Sequence, residues 1–255
     1  MANVGSKGIV RYEETFAADN VAGGAAGSDG TVADGIAWLG SSDTGNTPFV
    51  RAMNTARGLH VAGATDATGA TDMIEFNGDQ LMFYGQTGHS SAEIMVQFDD
   101  VTNMAFNFGF NDEVTDSSNL TPVSLSGTTW TSNAGAFVGF VYDTDAGNDE
   151  LHCFWVNGDV DTTTAIADLR MNGLAPTNSK WLYMKVEIQD RGSGNGVRAT
   201  LMCADHNGRS AEKVFNTTVA RTTALCFYFC MANRSASAHN CYIKCPAWEQ
   251  TIETN

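Results

Sequence analysis

Residues 181–189 alternate without a break: Trp181, Tyr183, Lys185, Glu187 and Gln189 fall on one side of an extended chain, Leu182, Met184, Val186 and Ile188 on the other. A two-residue period buries one face of a strand and wets the other, and it cannot make the apolar stripe of a helix. Shorter runs of the same character recur at 73–76, 80–84, 92–98, 104–110, 136–142, 150–156 and 196–203. Turn formers stand between them: Asn77-Gly78-Asp79, Asp99-Asp100, the polar loop 143–149 and the segment 190–195. Asn-Gly steps and glycine-rich loops reach left-handed backbone at little cost, as a chain of tight reversals requires. The runs at 136–142 and 150–156 read as one hairpin, and 180–190 is expected to pair with 196–203. Only residues 161–171 suggest a helix, and they serve equally well as a loop.

These patterns predict an all-β fold, an antiparallel β-sandwich of the jelly-roll type. Its inward faces are expected to carry Phe106, Phe108, Phe110, Phe137, Trp155, Leu182, Met184, Val186, Ile188 and Leu201, filling the space between sheets about 10 Å apart. A chain of 255 residues is long enough for such a core without disulfides or a metal. After a first strand at 9–16, residues 17–47 are mostly Gly, Ala, Ser, Thr and Asp, with Ile36, Trp38 and Leu39 as apolar anchors. Such a stretch gains little by burial and reads as a long, poorly structured loop or arm. The expected division is 1–47, first strand and arm, and 48–255, the sandwich body. Residues 62–71 form a second loose stretch.

Charge is unevenly spread. From Gly58 to Leu169 there are seventeen acidic residues and no Lys or Arg, while the remainder holds all fourteen Lys and Arg against twelve acids. A field this negative repels nucleic acid and anionic lipid, so neither is an expected partner. No run of eighteen apolar residues occurs, and the first five residues carry no basic region or cleavage pattern, so a soluble, unprocessed chain made in a cytoplasm is expected.

The numbering of four cysteines suggests a register. Cys226 and Cys230 precede Cys241 and Cys245 with equal spacing, so one antiparallel pairing would set Cys226 opposite Cys245 and Cys230 opposite Cys241. Four residues of strand span about 13 Å, too far for one zinc ion to gather all four thiolates. Reduced core residues are the reading, with two cross-strand disulfides as the alternative. The first strand of this pair is apolar on both faces: Leu225, Phe227, Phe229 and Met231 on one, the cysteines and Tyr228 on the other. Something must cover the second face, either the chain itself or a neighbouring subunit, which makes Leu225, Phe227, Phe229 and Met231, with Ile36, Trp38 and Leu39, candidate interface residues.

Motifs of catalysis are missing. The sequence has no Gly-x-Ser-x-Gly, His-Glu-x-x-His, Cys-x-x-Cys or phosphate-binding loop, and its five histidines are scattered. His152, on a strand among apolar residues, reads as a satisfied structural histidine. Glu187 is followed two residues on by Gln189 where a glycosidase would want a second acid. The loop Asp143-Thr144-Asp145-Ala146-Gly147-Asn148-Asp149-Glu150 concentrates oxygen ligands, making Asp143, Asp145 and Asp149 calcium candidates. Its spacing departs from the twelve-residue calcium loop, and a solvated hairpin loop is the preferred reading. No catalytic residue, cofactor or enzyme activity is expected.

In the order and flavour of its strands, from 8–16 through 106–113, 137–145 and 181–188, the chain resembles virion structural proteins of tailed bacteriophages that have a concanavalin-like double-sheet body. The resemblance spans about 8–245 without a diagnostic motif. It implies a non-enzymatic capsid decoration or cement protein on the outer capsid surface, partnered by a major capsid protein and forming a homo-oligomer there, a trimer where decorations occupy three-fold positions. The alternative is a carbohydrate-binding or host-attachment protein whose Trp130 or Trp248 stacks on sugar rings.

Overall fold

The alternating segments sort into two sheets that enclose one core, in a computed structural model that describes residues 2–4, 8–16, 21–25, 38–42, 45–78, 81–114, 121–158 and 169–251. Among the described residues the larger sheet has nine strands. Its order is β1 (Ala2–Val4), β2 (Ile9–Glu13), β18 (Asn240–Thr251), β8 (His89–Phe98), β14 (Trp181–Gln189), β15 (Gly196–Ala204) and β16 (Ser210–Ala220), with β6 (Gly58–Ala64) also on β18 and β5 (Thr47–Asn54) on β6. The seven-stranded sheet runs β13 (His152–Asn157), β12 (Ala136–Asp143), β9 (Met104–Asn111), β17 (Cys226–Asn233), β7 (Met73–Asn77), β4 (Trp38–Ser42) and β3 (Val21–Ala25). The described ladders are antiparallel apart from β3–β4, which is parallel. A hairpin of β10 (Val123–Ser126) and β11 (Thr129–Ser132) stands apart from both sheets. The fold is the all-β jelly-roll sandwich that the period predicts.

Leu182, Met184, Val186, Ile188 and Leu201 from the larger sheet meet Phe106, Phe108, Phe110, Phe227, Phe229 and Met231 from the smaller in one buried cluster. Phe98 bridges the layers, its ring centroid 5.1 Å from Phe106 and 6.5 Å from Phe229. Each such phenylalanine contributes about 1.5–3 kcal/mol by leaving water. Phe137 belongs elsewhere. With Val141, Phe154 and Val156 it lies on the outward face of the smaller sheet, roofed by Val123, Leu125 and Trp130 of the β10–β11 hairpin. Trp155, expected inward, is half-buried against the main core.

The interface candidates are core. Leu225, Phe227, Phe229 and Met231 are fully buried between the sheets, Trp38 stacks on Phe76 at 4.9 Å and meets Phe227 edge-on at 4.8 Å, and Leu39 is buried; Ile36 lies outside the described residues. The other face of β17 is covered by the chain itself, where Cys226, Tyr228 and Cys230 pack with Met73 against Val114, and the Tyr228 hydroxyl donates to Glu75. The cysteine register also fails, because β17 and β18 belong to different sheets: Cys230 faces Asn107 and Glu75, while Cys241 faces Phe98 and Gly63. Equal spacing implies pairing only if the connection reverses. The residues 234–239 can span about 20 Å when extended, enough to cross between sheets about 10 Å apart. All six cysteines are free, and Cys245 is exposed at a bulge next to Pro246, which has no N–H for the ladder.

The expected loop at 17–47 contributes the strands at 21–25 and 38–42. Residues 81–84 make no strand, Phe83 forming an isolated bridge to Leu225. Most of the helix candidate, 161–168, lies outside the described residues. Among the described residues no helix is long and apolar enough to cross a membrane.

Candidate binding cleft

The β10–β11 hairpin and the loop joining β12 to β13 form the two walls of a cleft of about 340 Å³. It is lined by Leu125, Gly127, Thr128 and Trp130 from the first, Asp145, Ala146, Gly147 and Asn148 from the second, and His152 and Arg170. Residues 169–174 run beside the start of β13: Met171 N–H donates to the Leu151 carbonyl at 3.0 Å, Cys153 N–H donates to that of Leu169 at 3.2 Å, and His152 and Arg170 form a bridge pair. That pairing brings a cation from beyond the acidic span onto the cleft. Gly127, at φ 62°, makes the tight turn that lets Trp130 fold back over the sheet.

Trp130 packs at 5.2 Å from the His152 ring and 4.9 Å from Phe154. His152 is 2% exposed, and neither ring nitrogen has a hydrogen-bond partner; the Asn148 carbonyl is near enough to favour the protonated ring but does not meet hydrogen-bond geometry. Burial first, and Arg170 second, hold its pKa below the usual histidine range, so the ring is neutral. Arg170 Nη1 stands 3.7 Å from Glu150, whose other oxygen accepts Gly173 N–H at 2.7 Å. With the Asn148 amide oriented to satisfy both its atoms, its oxygen accepts from Arg170 Nη2 at 3.1 Å and from Nη1. The buried Arg170 Nε–H has no partner.

The three calcium candidates do not converge. Asp143 is 1% exposed and bound to Arg234, whose Nε donates to it at 2.9 Å and whose second nitrogen closes the ion pair; Asp145 and Asp149 are exposed on the loop. Among the described residues no group of three His, Cys, Asp or Glu could hold a metal ion. Trp130 lines the cleft, whereas Trp248 is buried against Tyr12 and Phe83. His152 is corrected from a satisfied histidine to an unsatisfied one. Alternation along one strand shows that its ring is buried but not what lies across from it.

A second constellation lies on the outward face of the larger sheet. Pairing of β14 with β8 sets Lys185 beside Glu93, and the neighbouring rows add Glu187, His89, Glu249 and Arg11. The Tyr183 hydroxyl donates to Glu93 at 3.0 Å, Arg11 reaches the same carboxylate at 3.3 Å, and Lys185 lies 2.6 Å from Glu187. Desolvation and then Glu93 raise the Tyr183 pKa, keeping the phenol a proton donor in contact with a proton acceptor. Sequence reading weighed Glu187 only against Gln189 on its own strand. Its neighbours are Lys185, two residues back on the same strand, and His89 of β8 at 3.7 Å.

No protein-family model matches the chain, and no curated protein sequence matches it either. In three dimensions it is similar to a Shewanella oneidensis MR-1 protein of unknown function, at TM-score 0.59 and 11% identity over 99% of this chain and 90% of that one. It is similar to a Lotus tetragonolobus seed lectin, at TM-score 0.55 and 11% identity over 88% and 96%, and to an alginate lyase of Aplysia kurodai, at TM-score 0.51 and 9% identity over 78% and 86%. At these identities the likeness is one of fold. It nevertheless overturns the capsid decoration reading, because strand order and flavour belong to an architecture shared with a lectin and a polysaccharide lyase and do not single out virion proteins. The major capsid protein partner, the trimer and the outer capsid location fall with it. The expectation of no enzyme activity does not stand either: an alginate lyase shares this architecture, so the fold gives no ground for it.

Proposed function

We propose that the protein binds carbohydrate, with one sugar unit seated in the cleft between the β10–β11 hairpin and the β12–β13 loop. The observation that carries this is the buried, unpartnered His152 under Trp130 at the cleft floor. A pyranose offers an apolar C–H face and a rim of hydroxyls that both donate and accept. The cleft answers with an indole, an imidazole and the planar polar ends of Asp145, Asn148 and Arg170. Its size falls at the low end of the roughly 300–1,000 Å³ typical of small-ligand sites, suited to a ring and not to a polymer chain. A lectin and a polysaccharide lyase of the same architecture support the reading. Glycan-array binding followed by calorimetry tests it. Asp145→Ala and Asn148→Ala change exposed loop side chains, so each is expected to fold normally and to weaken the best glycan at least about tenfold, roughly 1.4 kcal/mol. Binding unchanged in both variants, or no glycan bound at all, overturns the proposal.

A further inference from the structure

Resting on the reading of the cleft as a sugar site, we infer that the sugar it takes is acidic, its carboxylate seated between Arg170 and His152. Three buried nitrogens there lack partners: Arg170 Nε and both ring nitrogens of His152. The two residues are paired across adjoining segments, both line the cleft, and the Arg170 charge is close enough to act on the His152 ring. Buried polar atoms are rarely left unpaired, and a group that satisfies these must accept from a guanidinium edge and meet an imidazole.

A neutral hydroxyl can meet both through its single oxygen. A carboxylate brings two acceptor oxygens and adds charge: one accepts from Arg170 Nε–H and the other from an imidazole N–H, and such charge-assisted bonds are about twice as strong as neutral ones. The groups facing His152 are Arg170 and Glu150, with Asp145 and Asp149 exposed on the loop above. Glu150 touches only Nη1 of Arg170, at 3.7 Å, and spends its other oxygen on Gly173 N–H, so the Nε edge remains for a ligand. A bound carboxylate would also favour the protonated imidazole, so uptake of the ligand is coupled to uptake of a proton.

Calorimetry with free glucuronate, galacturonate and mannuronate, each against its neutral methyl glycoside, reads the preference. Wild-type protein is expected to bind one of the acids at least tenfold tighter than its neutral counterpart, with the gap wider at pH 5.5 than at pH 7.5. Arg170→Gln is expected to weaken the acid at least tenfold more than its neutral counterpart, which closes the gap between them. Independently of how that variant folds, nitrogen NMR of wild-type His152 is expected to show its pKa rising with the acidic sugar and not with the neutral one. Equal affinities in the wild type, an equal loss of both ligands in Arg170→Gln, or an unmoved His152 pKa overturns the acidic-sugar inference and leaves the sugar site standing. Failure of every sugar to bind removes the sugar site and the inference together.

Discussion

Burial beneath Trp130 keeps His152 neutral, and this ties the stability of the free protein to pH. The folded-state pKa lies below the ordinary histidine value of 6.5, so the unfolded chain takes up the proton first. The contribution of His152 is therefore complete above about pH 6.5 and is lost as pH falls toward the folded-state value. Asp66, Asp100, Asp190 and Asp205 also have lowered values, from 3.8, but their contributions disappear only below that pH. Between about pH 6.5 and 4.5 the histidine is separable from them. Urea titrations are expected to show stability dropping over this window, by about 1.4 kcal/mol for each pH unit over which only the unfolded chain is protonated. His152→Asn is expected to flatten the drop, and an equally steep profile in that variant would place the titrating group elsewhere. None of this was legible in the sequence. The run 150–156 shows a histidine on a buried face, whereas its isolation depends on Trp130, which arrives from another hairpin.

Hairpins were legible and crossings were not. The pairs β12–β13 and β14–β15 are local: two alternating runs joined by a polar loop have one obvious partner each. Residues 225–231 and 240–251 alternate in the same way but join different sheets, and the distinction rests on where Leu225, Phe227 and Phe229 find other aromatics. The β10–β11 hairpin, which builds half of the cleft, is only four residues on each side, and its signal was Gly127 between Leu125 and Trp130. Tight pairing can be tested at β9 and β12, where Gly109 stands directly opposite Gly139. A Cβ on Gly139 would lie 2.2 Å from the Phe108 carbonyl oxygen and 2.7 Å from the Phe137 ring. The carbonyl cannot yield without breaking the ladder. Gly139→Ala is expected to lower stability by about 1–3 kcal/mol, or roughly 2–12 °C in Tm for a chain of this size. An unchanged melting temperature would mean that the two strands separate more easily than their register implies.

Charge is divided between the two sheets, and the division bears on how an acidic ligand reaches the cleft. Arg11, Arg51, Lys185, Arg198, Lys213 and Lys244 all lie on strands of the larger sheet, while β9, β12 and β13 fall within the span that has no Lys or Arg. Arg170 is the cation brought to the cleft from just beyond that span, in a chain whose net charge is −15. Two effects oppose one another for an anionic sugar: attraction to Arg170 at contact, and repulsion by many carboxylates at longer range. Salt separates them by distance. The screening length falls from about 30 Å at 0.01 M to about 8 Å at 0.15 M, which removes most of the long-range repulsion and leaves a contact pair in a partly buried cleft much less affected. Raising salt over this interval is expected to tighten glucuronate binding severalfold and to leave the neutral methyl glycoside unchanged, both followed by calorimetry. Binding that weakens with salt over the same interval would show that Arg170 attracts from a distance more strongly than the acidic span repels.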